Sequence, residues 1–417
     1  MVDVWLPYGN TEVCVRVPAE NLQNIVRIKE KVSAKKIEDE VRGSLENPIG
    51  SRRLSEVVRP GERVALVLSA SEAPVIKPIV PLVLEEMSRA GLKSSDLTVI
   101  VAQDLFRSEA EGVLGQLKND ILSFGANMII HDFSSETIPI GEFGSGIKIH
   151  INRVFAESKV RISASLVEPD PYMLYRWGGS SILLGLSSIE TVRQILSPAL
   201  NLDNPSDLIF KGIFEASSSL DITFAINIVR NIKGGIVGLV SGDFERCLQE
   251  SIRIADEIYR VSVEKRADVV FISPGGSPFD ASLFEACRCL ENALRISKRD
   301  GVIILVAECP GGYGRVDFHE ALSKFRGDPK SLERSLQKRF TIGGFVACRF
   351  LRVLRGANIG MVSALPDFYI SEMEGLKVFR TANEALTYAL ERSGRRSKVS
   401  FIPHGNLTLP TIEEGER

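Results

Sequence analysis

Histidine and cysteine are scarce in this chain of 417 residues, and their scarcity removes several chemistries at once. Four histidines (His131, His150, His319 and His404) stand in separate segments, which leaves a multi-histidine zinc centre little to draw on. Six cysteines (Cys14, Cys247, Cys287, Cys289, Cys309 and Cys348) are scattered and never spaced as CxxC. On a helix Cys287 and Cys289 would point to nearly opposite sides and could not easily grip one metal ion, so reduced thiols and no metal site are expected. A charge imbalance is missing as well. Lys and Arg number 51 against 53 Asp and Glu, and the net charge of −2 leaves no electrostatic footprint for nucleic acid. No apolar run approaches the ~18 residues of a membrane helix. The opening MVDVWLPYGNTEV lacks the basic start and apolar middle of a signal peptide. These absences predict a soluble, cytoplasmic protein with neither nucleic acid nor membrane as partner.

What is present is apolar material in short runs. With 44% hydrophobic and 25% charged residues the composition is globular, and the length exceeds one ordinary core, which predicts two domains. Runs of Val, Ile and Leu recur, each followed by a turn and an amphipathic segment, the pattern of βα units around a parallel sheet. Strands are predicted at 63–70, 97–103, 127–133, 160–167 and 235–242, and again at 267–276, 301–312, 358–365 and 399–405. IKPIVPLVLEEMSRAG between the first two reads as a helix ending on Gly91. The charged segment SIRIADEIYRVSVEKR (251–266) reads as the helix that leads into the second domain. The prediction is an α/β protein of two doubly wound domains with mainly parallel sheets joined by a hinge. Residues 1–262 form the first domain, 263–395 the second, and 396–417 a segment packing back on the first.

In such folds a ligand sits outside the carboxyl ends of the strands. The segments there are SASEAPVIKP, QDLFRSEAE and VEPDPYMLYRWGGSS, the last bringing Glu168, Asp170, Arg176, Gly178, Gly179, Ser180 and Ser181. The second domain contributes Gly275, Gly276, Asp280, Glu285 and Arg288 from SPGGSPFDASLFEACR, and Glu308 and Arg315 from AECPGGYGR. Gly-Gly before a helix can present N–H groups to a phosphate or carboxylate, or can simply serve a tight reversal. Asp170 with Arg176 can be an acid and an anion clamp, or a solvated ion pair. From the residues alone, the reading stops at a cleft suited to a small anion.

Taken together, YGN near Tyr8, VLSASEAP, VAQDLFR, EPDPYMLYRWGGSS, SSIETV, SPGGSPFDASLFEA, VIILVAECPGGYG and FIPHGNLTLP resemble the nickel-pincer lactate racemase family over nearly the whole chain. The resemblance implies two α/β domains with a hinge. It also implies a nickel ion held by a sulfur-bearing pyridinium nucleotide that is attached to a lysine. One histidine would ligate the nickel, and two others would exchange the substrate's proton while the cofactor takes its hydride. This chain departs from that pattern residue by residue. Asp170 stands where a catalytic histidine follows Glu-Pro, and Ser180 where the attaching lysine belongs. Leu196 replaces the nickel-binding histidine, and Phe106, followed by Arg107, the second catalytic histidine. Ala70 and Ala73 replace an Asp and an Arg of the substrate-binding turn, with Pro74 kept. Phe284, Glu285 and Arg288 stand for a Tyr-Gln pair and a lysine.

Serine has no amine with which to anchor a cofactor, leucine has no lone pair for nickel, and phenylalanine cannot move a proton. The preferred reading is a racemase-like protein that has lost nickel-pincer chemistry and needs no cofactor. Its cleft would bind a small anion through Arg107, Arg176, Gly178, Gly179, Ser180, Ser181 and Arg288, or the chain would pair with itself or with an active relative. Three alternatives remain. One is an enzyme of changed mechanism with Asp170 and Glu285 as acid and base and Arg288 as clamp. Another is a true 2-hydroxy-acid racemase or epimerase holding the nickel-pincer nucleotide without a covalent link. The last is a structural subunit whose cleft is filled by the apolar replacements, and this one predicts no pocket of ligand size.

Overall fold

The computed structural model describes residues 1–32, 36–107, 113–143, 146–366 and 375–413, with Tyr369 and Met373. A hairpin of β1 (Val2–Tyr8) and β2 (Thr11–Val17) opens the chain, and β3 (Leu22–Ile25) follows. Next come β4 (Val64–Ser69), β5 (Leu97–Ala102), β6 (Asn127–Ile130) and the hairpin β7 (Thr137–Phe143) with β8 (Ile147–Asn152). β9 (Val160–Leu166) precedes a short hairpin, β10 (Glu168–Asp170) with β11 (Leu174–Arg176), and then β12 (Phe224–Arg230) and β13 (Ile236–Gly242). β14 (Arg260–Val263) leads to β15 (Ala267–Ile272), β16 (Ser297–Val306), β17 (Asn358–Val362), β18 (Leu376–Phe379), β19 (Val399–Ile402) and β20 (Leu409–Ile412).

Two six-stranded sheets carry the molecule. The first has the order β13-β12-β9-β4-β5-β6, parallel except for the β12–β13 edge. The second, β18-β17-β16-β15-β19-β3, is parallel throughout. Every residue of β4 is buried, as strands covered on both faces must be, and this produces the continuous apolar runs that the sequence displays. Among the described residues, no helix is long and apolar enough to cross a membrane.

Both ends of the chain depart from the predicted division. β3 pairs with β19 at the edge of the second sheet, and Val4, Leu6, Val15 and Val17 of the first hairpin pack on Val269, Phe271 and Phe401. β19 lies inside that sheet beside β15, while β20 pairs with β14 between the domains. Residues 396–413 therefore join the second sheet and the connecting strand, and 414–417 lie outside the described residues. The connecting helix also differs: it runs Phe244–Tyr259, begun by Asp243, whose carboxylate accepts from Arg246 N–H at 2.9 Å. Its predicted tail is β14, where Val261 and Val263 alternate with polar residues at the strand period. β12 went unpredicted, although the Asn-Ile-Lys-Gly-Gly turn between it and β13 is a hairpin signal.

Candidate functional site

The predicted cleft forms where the carboxyl ends of β4, β5 and β9 meet Leu283–Cys289 of the second domain. The β10–β11 hairpin is tightened by the Asp170 carboxylate, which accepts from Tyr172 N–H at 2.9 Å. Around it four carboxylates meet four guanidinium groups. Arg176 Nη2 lies 2.5 Å from Asp104 Oδ2, and its Nε lies 3.3 Å from Glu72 Oε1. Arg107 Nη1 is 2.5 Å and Arg230 Nη2 3.3 Å from the two oxygens of Glu168. Across the domain interface Arg288 Nη2 pairs with Asp170 Oδ2, and Nη1 donates to the Phe106 carbonyl at 3.0 Å. The Arg288 guanidinium also lies 4.9 Å from the centre of the Phe106 ring and 5.2 Å from that of Tyr172. Arg288 and Asp170 are each only 2% exposed.

The charges of this network are unequal in strength. Burial pushes Glu168 up, but Arg107, Arg230 and Arg176 outweigh it and hold the carboxyl at about 2. Burial likewise opposes ionisation of Asp104, which Arg176 and Arg107 nonetheless keep well below the usual range. At Glu72 burial wins over Arg176 and raises the carboxyl to about 7. A folded pKa above the unfolded one means that the protonated form contributes stability fully below about pH 4.5, lost as pH rises through about 7. Glu72→Gln keeps an acceptor for Leu166 N–H, now 3.2 Å from Glu72 Oε2, and cannot ionise. Urea unfolding should find this variant level with the parent at pH 4 and more stable by ~2–3 kcal/mol at pH 8.

The remaining predicted site residues serve the fold at close quarters. A Cβ on Gly178 would meet Ser163 Oγ at 1.9 Å, and one on Gly179 the Trp177 ring at 2.6 Å, so the pair lets the helix Gly178–Gly185 lie against β9. Ser180 Oγ donates to the Trp177 carbonyl at 2.7 Å and accepts from its N–H at 2.9 Å. Glu285 accepts from Ser282 Oγ. Asp280 accepts from Gly9 N–H at 2.7 Å and Glu308 N–H at 3.1 Å, holding the first hairpin against the second sheet. Arg315 pairs with Asp317 at 3.0 Å. Ala73 and Pro74 sit in the helical turn Ala73–Ile76, and their side chains lie outside those described.

Between these groups the cavity measures about 20 Å³, room for a single water. Asp170, Arg176, Ser180 and Ser181 line it, with Phe106, Leu105 and Leu184 among the rest; Glu285, Arg107, Arg288 and the two glycines do not. Phe106 stands edge-on to Tyr172 at 5.5 Å and 6.2 Å from Phe345, and Leu196 is fully buried. A nucleotide carrying nickel does not fit these residues: Ser180 is spent on a helix cap, Leu196 offers no ligand, and the space is far below nucleotide size. Among the described residues no group of three or more His, Cys, Asp or Glu is placed to hold a metal ion. Sequence reasoning missed the anchoring roles of Glu72, Asp104 and Arg230. For the first two, a carboxylate two or three residues past the end of a buried strand was the available signal.

Residues 8–201 match the family model described as the lactate racemase N-terminal domain, and residues 262–408 the one described as the lactate racemase C-terminal domain. The lactate racemase of Thermoanaerobacterium thermosaccharolyticum is 26% identical over 426 residues, covering 97% of this chain and 98% of that protein. The lactate racemase of Lactiplantibacillus plantarum is 26% identical over 420 residues, covering 97% and 99%. The structure of the T. thermosaccharolyticum lactate racemase apoprotein superposes with a TM-score of 0.87 at 25% identity, covering 98% of this chain and 100% of that one. A Thermotoga maritima protein, at 12% identity and a TM-score of 0.59 over 92% of this chain, shares the fold.

Proposed function

Because this chain belongs to the lactate racemase family, we propose that it is a member without nickel-pincer racemisation, whose cleft answers to a small carboxylate anion instead. The observation that carries this reading is the buried Asp170–Arg288 pair across the domain interface. The cavity of about 20 Å³ beside it is what the filled, structural cleft also predicts, so a ligand enters only when the domains part. Asp170 stands where the resemblance implies a catalytic histidine, and Arg288 where it implies a lysine. The chain thus supplies its own carboxylate to the cation that would receive the substrate's. An incoming anion binds by displacing Asp170 as the domains part, so ligand binding and opening are one equilibrium. Arg107 and Arg176 face committed carboxylates and act as supports rather than receptors. An acid–base enzyme using Asp170 and Glu285 has less behind it, since Arg288 engages the first and Ser282 the second.

Protein purified from its own host, where any cofactor-making enzymes are present, should have the intact mass of the bare chain. It should carry nickel far below one atom per chain and leave D- and L-lactate unconverted. A mass excess with stoichiometric nickel would sink the proposal. Asp170→Asn should tighten lactate binding about ten-fold in calorimetry by releasing Arg288. An unchanged or weaker affinity would mean that Asp170 does not compete with the ligand.

A further inference from the structure

A second cavity lies at the amino ends of β15, β16 and β17, the end of the second sheet opposite the cleft, and measures about 1020 Å³. Eight Lys or Arg side chains line it against two carboxylates. Both carboxylates are already engaged: Glu291 with Arg349 at 2.8 Å, and Asp203 with Arg352 at 3.9 Å. Arg266, Arg295, Arg299, Lys330 and Arg355 make no ion pair among the described residues, in a protein whose net charge is −2. Their positive charge is therefore concentrated locally, as a concave site for anions requires.

Part of this site is built rather than merely exposed. Arg295 is held by Asn204 Oδ1 at 2.9 Å and Ser206 Oγ at 2.6 Å, and its buried Nε has no hydrogen-bond partner. Arg266 is fixed by the carbonyls of Leu294 at 3.3 Å and Ser297 at 3.2 Å. Apolar wall is supplied by Leu294, Val353, Pro410 and Ile412. A smaller cavity of about 430 Å³ shares Arg299 and Arg355 and adds Lys377 and Arg392.

From this geometry we infer a binding site for a phosphate-bearing organic anion of nucleotide size, its phosphates on Arg299, Lys330 and Arg355 and its apolar part against Leu294, Val353 and Ile412. Five unpaired cations call for a polyvalent anion rather than a single carboxylate, and guanidinium forks suit phosphate oxygens. The volume matches ligand sites, which run to ~1000 Å³.

Titration calorimetry with ATP tests the site, with inorganic tripolyphosphate and adenosine as probes that lack the base or the charge. One ATP should bind per chain, tripolyphosphate more weakly, and adenosine not at all. Arg299→Glu with Arg355→Glu, both exposed positions, should weaken ATP by at least about ten-fold. Lys118→Glu with Lys159→Glu, an equal charge change on the first domain, should leave the affinity within about two-fold, and thermal melts should confirm that both double variants fold. The inference is overturned if ATP does not bind, if both double variants weaken it equally, or if tripolyphosphate binds as tightly as ATP. A single-stranded oligonucleotide binding more tightly than ATP, with the same dependence on Arg299 and Arg355, would overturn it in favour of a polymer.

Discussion

Arg288→Met should lower the unfolding free energy by ~3–5 kcal/mol, because it strands the Asp170 carboxylate in a place that water hardly reaches. The methylene stem of methionine replaces part of the packing on Phe106 and Tyr172, so most of the loss is electrostatic. Removing the carboxylate at the same time, in Arg288→Met with Asp170→Leu, should return most of the stability, since an apolar pair of similar volume often equals a buried ion pair. Urea unfolding of the parent, the two single variants and the double variant measures the coupling. Additive single effects would mean that the two side chains do not depend on one another, and the self-occluded cleft would lose its basis.

Arg349→Met is expected to cost a similar ~3–5 kcal/mol for a related reason. Arg349, in the helix Ile342–Gly356, pairs with Glu291 at 2.8 Å and donates to the carbonyls of Ala199 at 3.2 Å, Leu200 at 3.3 Å and Leu202. One guanidinium thus satisfies a buried carboxylate of its own domain and the end of a helix in the other. Burial already pushes Glu291 above the usual carboxylate range despite Arg349, and the substitution leaves burial unopposed. A folded pKa raised above the unfolded one favours the fold below the unfolded value and disfavours it as pH rises through the folded value. The deficit of Arg349→Met should therefore be smaller near pH 4 than at pH 8. A deficit that does not change with pH would assign the whole loss to the three carbonyls.

Both arginines bridge regions far apart in the chain, and that distance decides what the sequence could disclose. The parallel strands were readable because burial on both faces writes itself as unbroken Val, Ile and Leu, as at residues 302–306. β12 was harder, with Asn227 at its centre and an antiparallel neighbour, and β3 is a four-residue edge without fully buried positions. At the site, the chemical type of Ser180, Leu196 and Phe106 was legible without coordinates, since serine, leucine and phenylalanine lack the required groups in any conformation. That Arg288 would find Asp170 was not, because nothing local links a turn in one domain to a hairpin in the other. The Gly178–Gly179 pair was visible but ambiguous, and the approach of Ser163 and Trp177 supplies its physical reason.

The strand β3, added at the edge of the second sheet, bears on how the protein comes to exist. Leu22–Ile25 leaves the ribosome long before its partner β19. Throughout that interval the hairpin residues Val4, Leu6, Val15 and Val17 also wait for Phe271, Phe401 and the rest of their core. The first sheet, whose strands all fall between residues 64 and 242, can close in the meantime. An exposed apolar hairpin beside a finished domain is what chaperones bind and what aggregation begins from. The hairpin is thus sheltered long after it is translated, and its dependence on β19 makes a nascent chain stalled before residue 399 a vulnerable form of this protein.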